Sequence, residues 1–240
     1  MKSGRAKMSV MAVVGLLAVI GICGLFMNWE PVYQGVTLSA WLDQVTATPG
    51  SPMITDTNNP AVIAVRAIGT NAIPFLMRDL EARDNPFVHR LEQLMLKQKV
   101  IKVRFWGAAE RRNRALGGFR ALNTIGAPAI PALVSLVETN PGYIPAVLAG
   151  IGRPALPALA QCLTNDTVYQ TPFGPFRFIP GNTIEALRSG ITLDSLRTRD
   201  VEPLLPVIRS WAVQSTNGHA ALEANRFLNE LDHGLRLAHP

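Results

Sequence analysis

Ile125-Gly126-Ala127-Pro128-Ala129-Ile130-Pro131-Ala132-Leu133 decides the fold, because the chain repeats it. The same register occurs 57 residues earlier as Ile68-Gly69-Thr70-Asn71-Ala72-Ile73-Pro74-Phe75-Leu76. It returns 26 residues later as Ile151-Gly152-Arg153-Pro154-Ala155-Leu156-Pro157-Ala158-Leu159. The shared pattern, I-G-x-x-A-[IL]-P-x-L, aligns without gaps, and self-similarity of this kind marks a repeat architecture. Downstream, Ile73/Leu76/Met77/Leu80, Ile130/Leu133/Val134/Val137 and Leu156/Leu159/Ala160/Leu163 all follow i, i+3, i+4, i+7. That spacing places each set on one stripe of a helix. Upstream, Val62/Val65/Ile68 and Phe119/Leu122/Ile125 form matching rows three residues apart. Each copy is therefore expected to be two helices joined at a glycine, Gly69, Gly126 or Gly152, which tolerates the left-handed backbone of a helix end. Pro128 and Pro154 suit the opening of the second helix, with Pro74, Pro131 and Pro157 near the end of its first turn.

These motifs make the chain similar to the HEAT-repeat family, specifically the HEAT-like repeats whose second helix opens on G-x-x-A-[IL]-P-x-L. The resemblance covers residues 60–82, 115–139 and 144–164, and extends weakly to Pro203-Leu204-Leu205-Pro206-Val207-Ile208, which keeps the Pro-x-x-Pro spacing without the glycine. The run from Tyr33 to Leu42 also resembles the leader of bacterial membrane-anchored proteins that carry such repeats. The resemblance implies an all-α fold, a short α-solenoid of α-α repeats, used to bind other macromolecules. The 57-residue offset exceeds one HEAT unit, and a further helix at 86–106 is expected within it, on Val88, Leu91, Leu94 and Met95.

The body is preceded by 20 residues, Met8 to Met27, that carry no charge. As a helix they reach about 30 Å, the thickness of a bilayer's hydrocarbon core. Lys2, Arg5 and Lys7 stand before this stretch and Glu30 is the first charge after it, an asymmetry that puts the amino terminus in the cytoplasm. The expectation is a single-pass signal-anchor, residues 8–27, after a basic stub, 1–7, with the body on the periplasmic or extracytoplasmic side. Secretion after cleavage is the alternative, although no Ala-x-Ala follows the apolar stretch. Residues 28–59 then read as a juxtamembrane leader with one short helix. Repeats occupy 60–164, a Pro/Phe-rich loop 165–182 and degenerate helices 183–240.

Composition excludes several functions. The chain has 240 residues, 48% hydrophobic and 17% charged, which is too apolar for disorder. Its net charge is +6, of which three basic residues lie in the leader, so the body is only mildly basic. The two cysteines, Cys23 and Cys162, cannot form a disulfide framework, and His89, His219, His233 and His239 lack metal-ligand spacing. No phosphate-binding glycine loop or G-x-S-x-G turn is present. Neither metal nor cofactor is expected, and the chain reads as a non-enzyme. Gly117-Gly118 reads as a site of close helix packing rather than phosphate contact.

One charge cluster stands out: Lys97, Lys99, Lys102, Arg104, Arg111, Arg112, Arg114 and Arg120, with Glu110 the only acid among them. On one face they would bind lipid headgroups, an acidic protein or nucleic acid; fanned around a helix they would simply be solvated. An exported body disfavours nucleic acid. The functional expectation is a membrane-anchored scaffold for an unidentified protein partner. The alternatives are an anionic-ligand binder through 97–120 and, more distantly, an enzyme whose acid/base site forms between helices.

Overall fold

The computed structural model describes residues 30–46, 58–83, 107–172, 174–213 and 218–233. The expected membrane span at 8–27 and the expected helix at 86–106 lie outside these residues. What is described is mostly helical. A two-residue hairpin, β1 (Val32–Tyr33) and β2 (Val36–Thr37), leads into α1 (Leu38–Thr46). Then come α2 (Pro60–Ile68), α3 (Ile73–Leu80), α4 (Ala108–Leu122), α5 (Ile130–Ser135), α6 (Ile144–Ile151) and α7 (Leu156–Leu163). A second hairpin, β3 (Tyr169–Thr171) and β4 (Gly174–Phe176), precedes α8 (Phe178–Thr192), α9 (Thr198–Val201), α10 (Leu205–Val213) and α11 (Gly218–His233).

The repeated motif folds the same way each time. A 3-10 turn (69–72, 123–129, 153–155) passes directly into α3, α5 or α7, and the motif proline occupies the first helical turn, where its missing N–H leaves no bond unmade. The degenerate copy does likewise: Glu202–Leu204 is a 3-10 turn and α10 opens on Leu205-Pro206. Equivalent positions share burial. Leu76, Leu133, Leu159 and Ile208 are fully enclosed, as are Ala72, Ala129 and Ala155 at the turns. The unit is thus a turn that hides a small residue, followed by a helix that hides a large one.

One expectation is corrected. Gly69 (φ 64°, ψ −139°) and Gly152 (φ 84°, ψ −146°) do end their first helices, but in the middle copy α4 ends three residues before Gly126, at Asn123 (φ 51°, ψ −132°). Asn123 adopts the conformation that glycine holds in the other copies, and its Oδ1 accepts from the Thr124 N–H at 2.7 Å. Gly126 instead sits inside the longer 3-10 turn. A methyl built on it would stand 3.2 Å from Ile151 and 3.3 Å from Phe119, so its role is close approach.

The units pack in sequence. The first three turns touch in succession, and α4, α6 and α8 form a continuous row, with α2 and α3 against α4 and α7 against α8. Arg66 Nε donates to the Ala121 carbonyl at 2.8 Å, Ser195 Oγ to that of Ala149 at 2.9 Å and Trp211 Nε1 to that of Leu163 at 2.9 Å, each tying one unit to another. Gly118 lets α4 meet α3 and α1, for a methyl there would lie 2.5 Å from Leu76 Cδ2 and 2.9 Å from Leu42 Cδ2. Among the described residues, Pro60–Leu80 is long and apolar enough to cross a membrane by length and composition. It is broken at Gly69 and contributes Ala61, Val62, Val65, Ile68, Leu76 and Leu80 to the core.

The expected loop at 165–182 contains more regular structure. Gly174, at φ 109°, closes the β3–β4 hairpin, and α8 begins at Phe178, five residues before the predicted start at Thr183. Pro180 is one of the Pro and Phe residues whose density there suits a loop. It occupies the first turn, where backbone N–H groups have no helical partner. Phe178 packs 4.4 Å from Phe176 and 5.6 Å from Tyr169 between ring centroids, which anchors the hairpin on α8. The later helices, α8 to α11, fall where helices are expected over 183–240, with α8 starting earlier.

Candidate functional site

The basic cluster is the first candidate, and the fold divides it. Lys97, Lys99, Lys102 and Arg104 lie outside the described residues. Arg111, Arg112, Arg114 and Arg120 all project from α4, which Glu110 starts by accepting from the Gly107 N–H at 3.1 Å. Arg111 and Arg114, one turn apart, converge on a single carboxylate, Asp79 of α3. Arg111 Nε and Nη2 reach Oδ1 at 3.0 and 2.8 Å; Arg114 Nε and Nη2 reach Oδ2 at 3.2 and 2.8 Å. Each carboxylate oxygen therefore accepts two N–H groups, and Arg114 Nη1 also lies 3.5 Å from Asp43 Oδ1. Arg112 donates to the Ala82 carbonyl at 2.9 Å and lies over the Tyr143 ring. Arg120 is set into the α4–α6 contact, where a methyl on Gly150 would stand 2.6 Å from its Cγ; burial draws its guanidinium down to about 10.

These four guanidiniums thus hold α4 to its neighbours. They neither fan into solvent nor gather on one open face. Asp79, the acid that Arg111 and Arg114 share, is absent from the candidates the sequence offers, although a signal for it exists: it stands between Leu76 and Leu80 on the buried stripe of α3. A carboxylate on an apolar face needs an opposite charge. Two arginines three residues apart on another helix could supply it.

The remaining candidate chemistry is sparse. Cys162 is buried in α7, and burial pushes its thiol up to about 11, the direction that suppresses the nucleophilic thiolate. His219 Nε2 lies 3.2 Å from Asn182 Oδ1, with its ring beside Phe176. His233 is exposed and sits 3.1 Å from the Asn229 carbonyl. His89 and His239 lie outside the described residues. Among the described residues, no three His, Cys, Asp or Glu side chains could hold a metal ion.

A second candidate is a surface. Because the four second helices bury equivalent positions, they also expose equivalent ones: Pro74 and Arg78, Pro131 and Ser135, Pro157 and Gln161, Pro206 and Ser210. Arg78 lies over the ring of Phe75 at 5.0 Å. These outward positions carry little charge and few long flexible side chains, so ordering them against a partner costs little conformational entropy. Comparison with family models, with curated proteins and with solved structures finds no match.

Proposed function

We propose that the chain is a membrane-anchored HEAT-like repeat array that serves as a non-catalytic scaffold for another protein. One observation carries this reading. Four turn-helix units, opening at Ile73, Ile130, Leu156 and Leu205, bury the same leucine or isoleucine position, and the first three also the alanine of the turn, while all four present the same outward positions. Stacked repeats make extended binding surfaces in this way. The apolar residues 8–27 supply the anchor, and the charge asymmetry around them places the body on the exported side.

The anionic-ligand alternative draws less support, since Arg111 and Arg114 are already engaged by Asp79, with Asp43 also 3.5 Å from Arg114. It would rest on Lys97, Lys99, Lys102 and Arg104. Photo-crosslinkers introduced at Ser135, Gln161 and Ser210 of the full chain in its own membrane test the scaffold. The expected result is one shared protein adduct, absent when the crosslinker is at Glu185 on α8. Equal adducts from all four positions would refute the surface. Steeply salt-dependent capture of phosphate-bearing ligands without any protein adduct would refute the scaffold in favour of the alternative. A carboxy-terminal alkaline phosphatase fusion should be active, and an inactive fusion at normal expression would refute export.

A further inference from the structure

We propose that the first end of the domain rests on the bilayer surface, with the outward face of α2 and the edge of β1 against lipid. The inference depends on reading residues 8–27 as a membrane span. Helix α2 is apolar on every side. Ala61, Val62, Ala64, Val65 and Ile68 face the core, and the residues it exposes are Pro60, Ile63 and Ala67. Its one charge, Arg66, is drawn inward to the Ala121 carbonyl. A helix without a polar face is normally surrounded by protein or by lipid. Ile63 is nevertheless 46% exposed, and Val32, on the strand packed against α2, is 57% exposed.

Chain length says what covers this face. Three residue steps separate Met27, the last of the uncharged stretch, from Glu30, the first described residue. Fully extended, they span at most about 10 Å. The headgroup layer of one leaflet is itself about 5–8 Å thick. Glu30 therefore enters the domain at the membrane interface, and it is fixed there: its carboxylate accepts from the Ser39 N–H and from Ser39 Oγ at the start of α1. Val32 follows two residues later. With β1 held on α2, and α1 packed against both α2 and α4, the domain cannot swing α2 far from the bilayer without breaking its own core. The contact carries no net positive charge, so its strength is independent of anionic lipid and of salt.

The test uses the full chain, carrying Cys23→Ala, in phosphatidylcholine vesicles. Buried Cys162 stays in place. Bimane is attached in turn at Val32→Cys, Ile63→Cys and Leu222→Cys, the last being an exposed apolar position on α11, at the far end of the packing order. Brominated lipid should quench the first two labels several-fold more strongly than the third, equally at low and high salt. Aqueous iodide should show the reverse order. Retention of the chain after an alkaline carbonate wash separates the two claims. Release overturns the span, and this inference with it. Retention with positions 32 and 63 open to iodide overturns surface contact alone. Protection from iodide without quenching by brominated lipid shows that protein, such as a second copy, covers the face, and also overturns it.

Discussion

Alanine at Gly69 and at Gly152 separates two physical costs that the repeat imposes together. Both glycines end a first helix at nearly the same backbone angles, φ 64° and 84° with ψ near −140°. A side chain in such a region costs about 1–3 kcal/mol, offset by about 0.4–1 kcal/mol from the stiffer unfolded chain. Asn123, already in that conformation, shows that the fold tolerates a side chain there. Surroundings then distinguish the two sites. At Gly69 an added methyl meets nothing within 4 Å, whereas at Gly152 it would sit 2.5 Å from the Ser195 carbonyl oxygen. That carbonyl cannot retreat cheaply. Ser195 donates its N–H to Gly190 O at 2.9 Å and its hydroxyl to Ala149 O at 2.9 Å. Overpacking against fixed backbone adds about 1–3 kcal/mol. Gly69→Ala should therefore destabilise by about 1–2 kcal/mol and Gly152→Ala by about 2–5 kcal/mol. Urea unfolding of the full chain in detergent, followed by far-ultraviolet circular dichroism, reads the difference. Equal losses at an unchanged m-value would refute the assignment of Gly152 as the packed joint between units.

Asp79→Asn leaves Arg111 and Arg114 facing an amide that can neutralise neither. Breaking a buried charge cluster costs about 3–5 kcal/mol, and the low end applies because the Arg111 side chain is 31% exposed. Arg111→Gln should cost only about 1 kcal/mol, and thermal denaturation that ranks the two in the opposite order would remove the clamp. Cys162 gives a pH test: its folded thiol ionises near 11 rather than near the usual 9, so the unfolded chain loses its proton first and stability falls as pH rises from about 9 to about 11. The urea midpoint of the unsubstituted chain should decline more steeply over that window than that of Cys162→Ala; parallel curves would show that the thiol is not desolvated.

Apolar periodicity made the second helices legible, because a residue such as Leu133 or Leu159 is buried by its own stripe whatever its neighbours do. Even the fourth unit could be placed from Pro203 and Pro206. The ends of the first helices were less legible. Asn123 does the work of a glycine through an Asx bond to the next N–H, while Gly126, in perfect sequence register, performs a different task. Residues 169–176 were harder still, since their strands are three residues long and are held by the packing of Tyr169 and Phe176 on α8. The basic cluster was visible, but its purpose was not. Whether Arg111 and Arg114 face solvent or Asp79 depends on how α3 and α4 meet, and no local pattern records that meeting.

The clamp also bears on the 23 residues between Arg83 and Gly107. Asp79 with Arg111, and the Ala82 carbonyl with Arg112, join the chain just before this stretch to the chain just after it. The two ends are thus held together by contacts outside the segment. From Arg112 back to Gly107 is at most two turns of helix, and an arginine side chain bridges the remainder, so eight extended residues, reaching about 26–29 Å, suffice to reconnect them. On loop-closure scaling alone, going from 23 residues to eight changes the closure entropy by only about 1 kcal/mol, in favour of folding. Replacing residues 84–106 by an eight-residue Gly/Ser linker should therefore preserve cooperative unfolding, while removing Lys97, Lys99, Lys102 and Arg104. Collapse of the transition would show that the repeats need the segment. Retained folding with loss of a salt-sensitive anionic ligand would place that activity in the excised lysines and Arg104, leaving the arginines of α4 to their structural task.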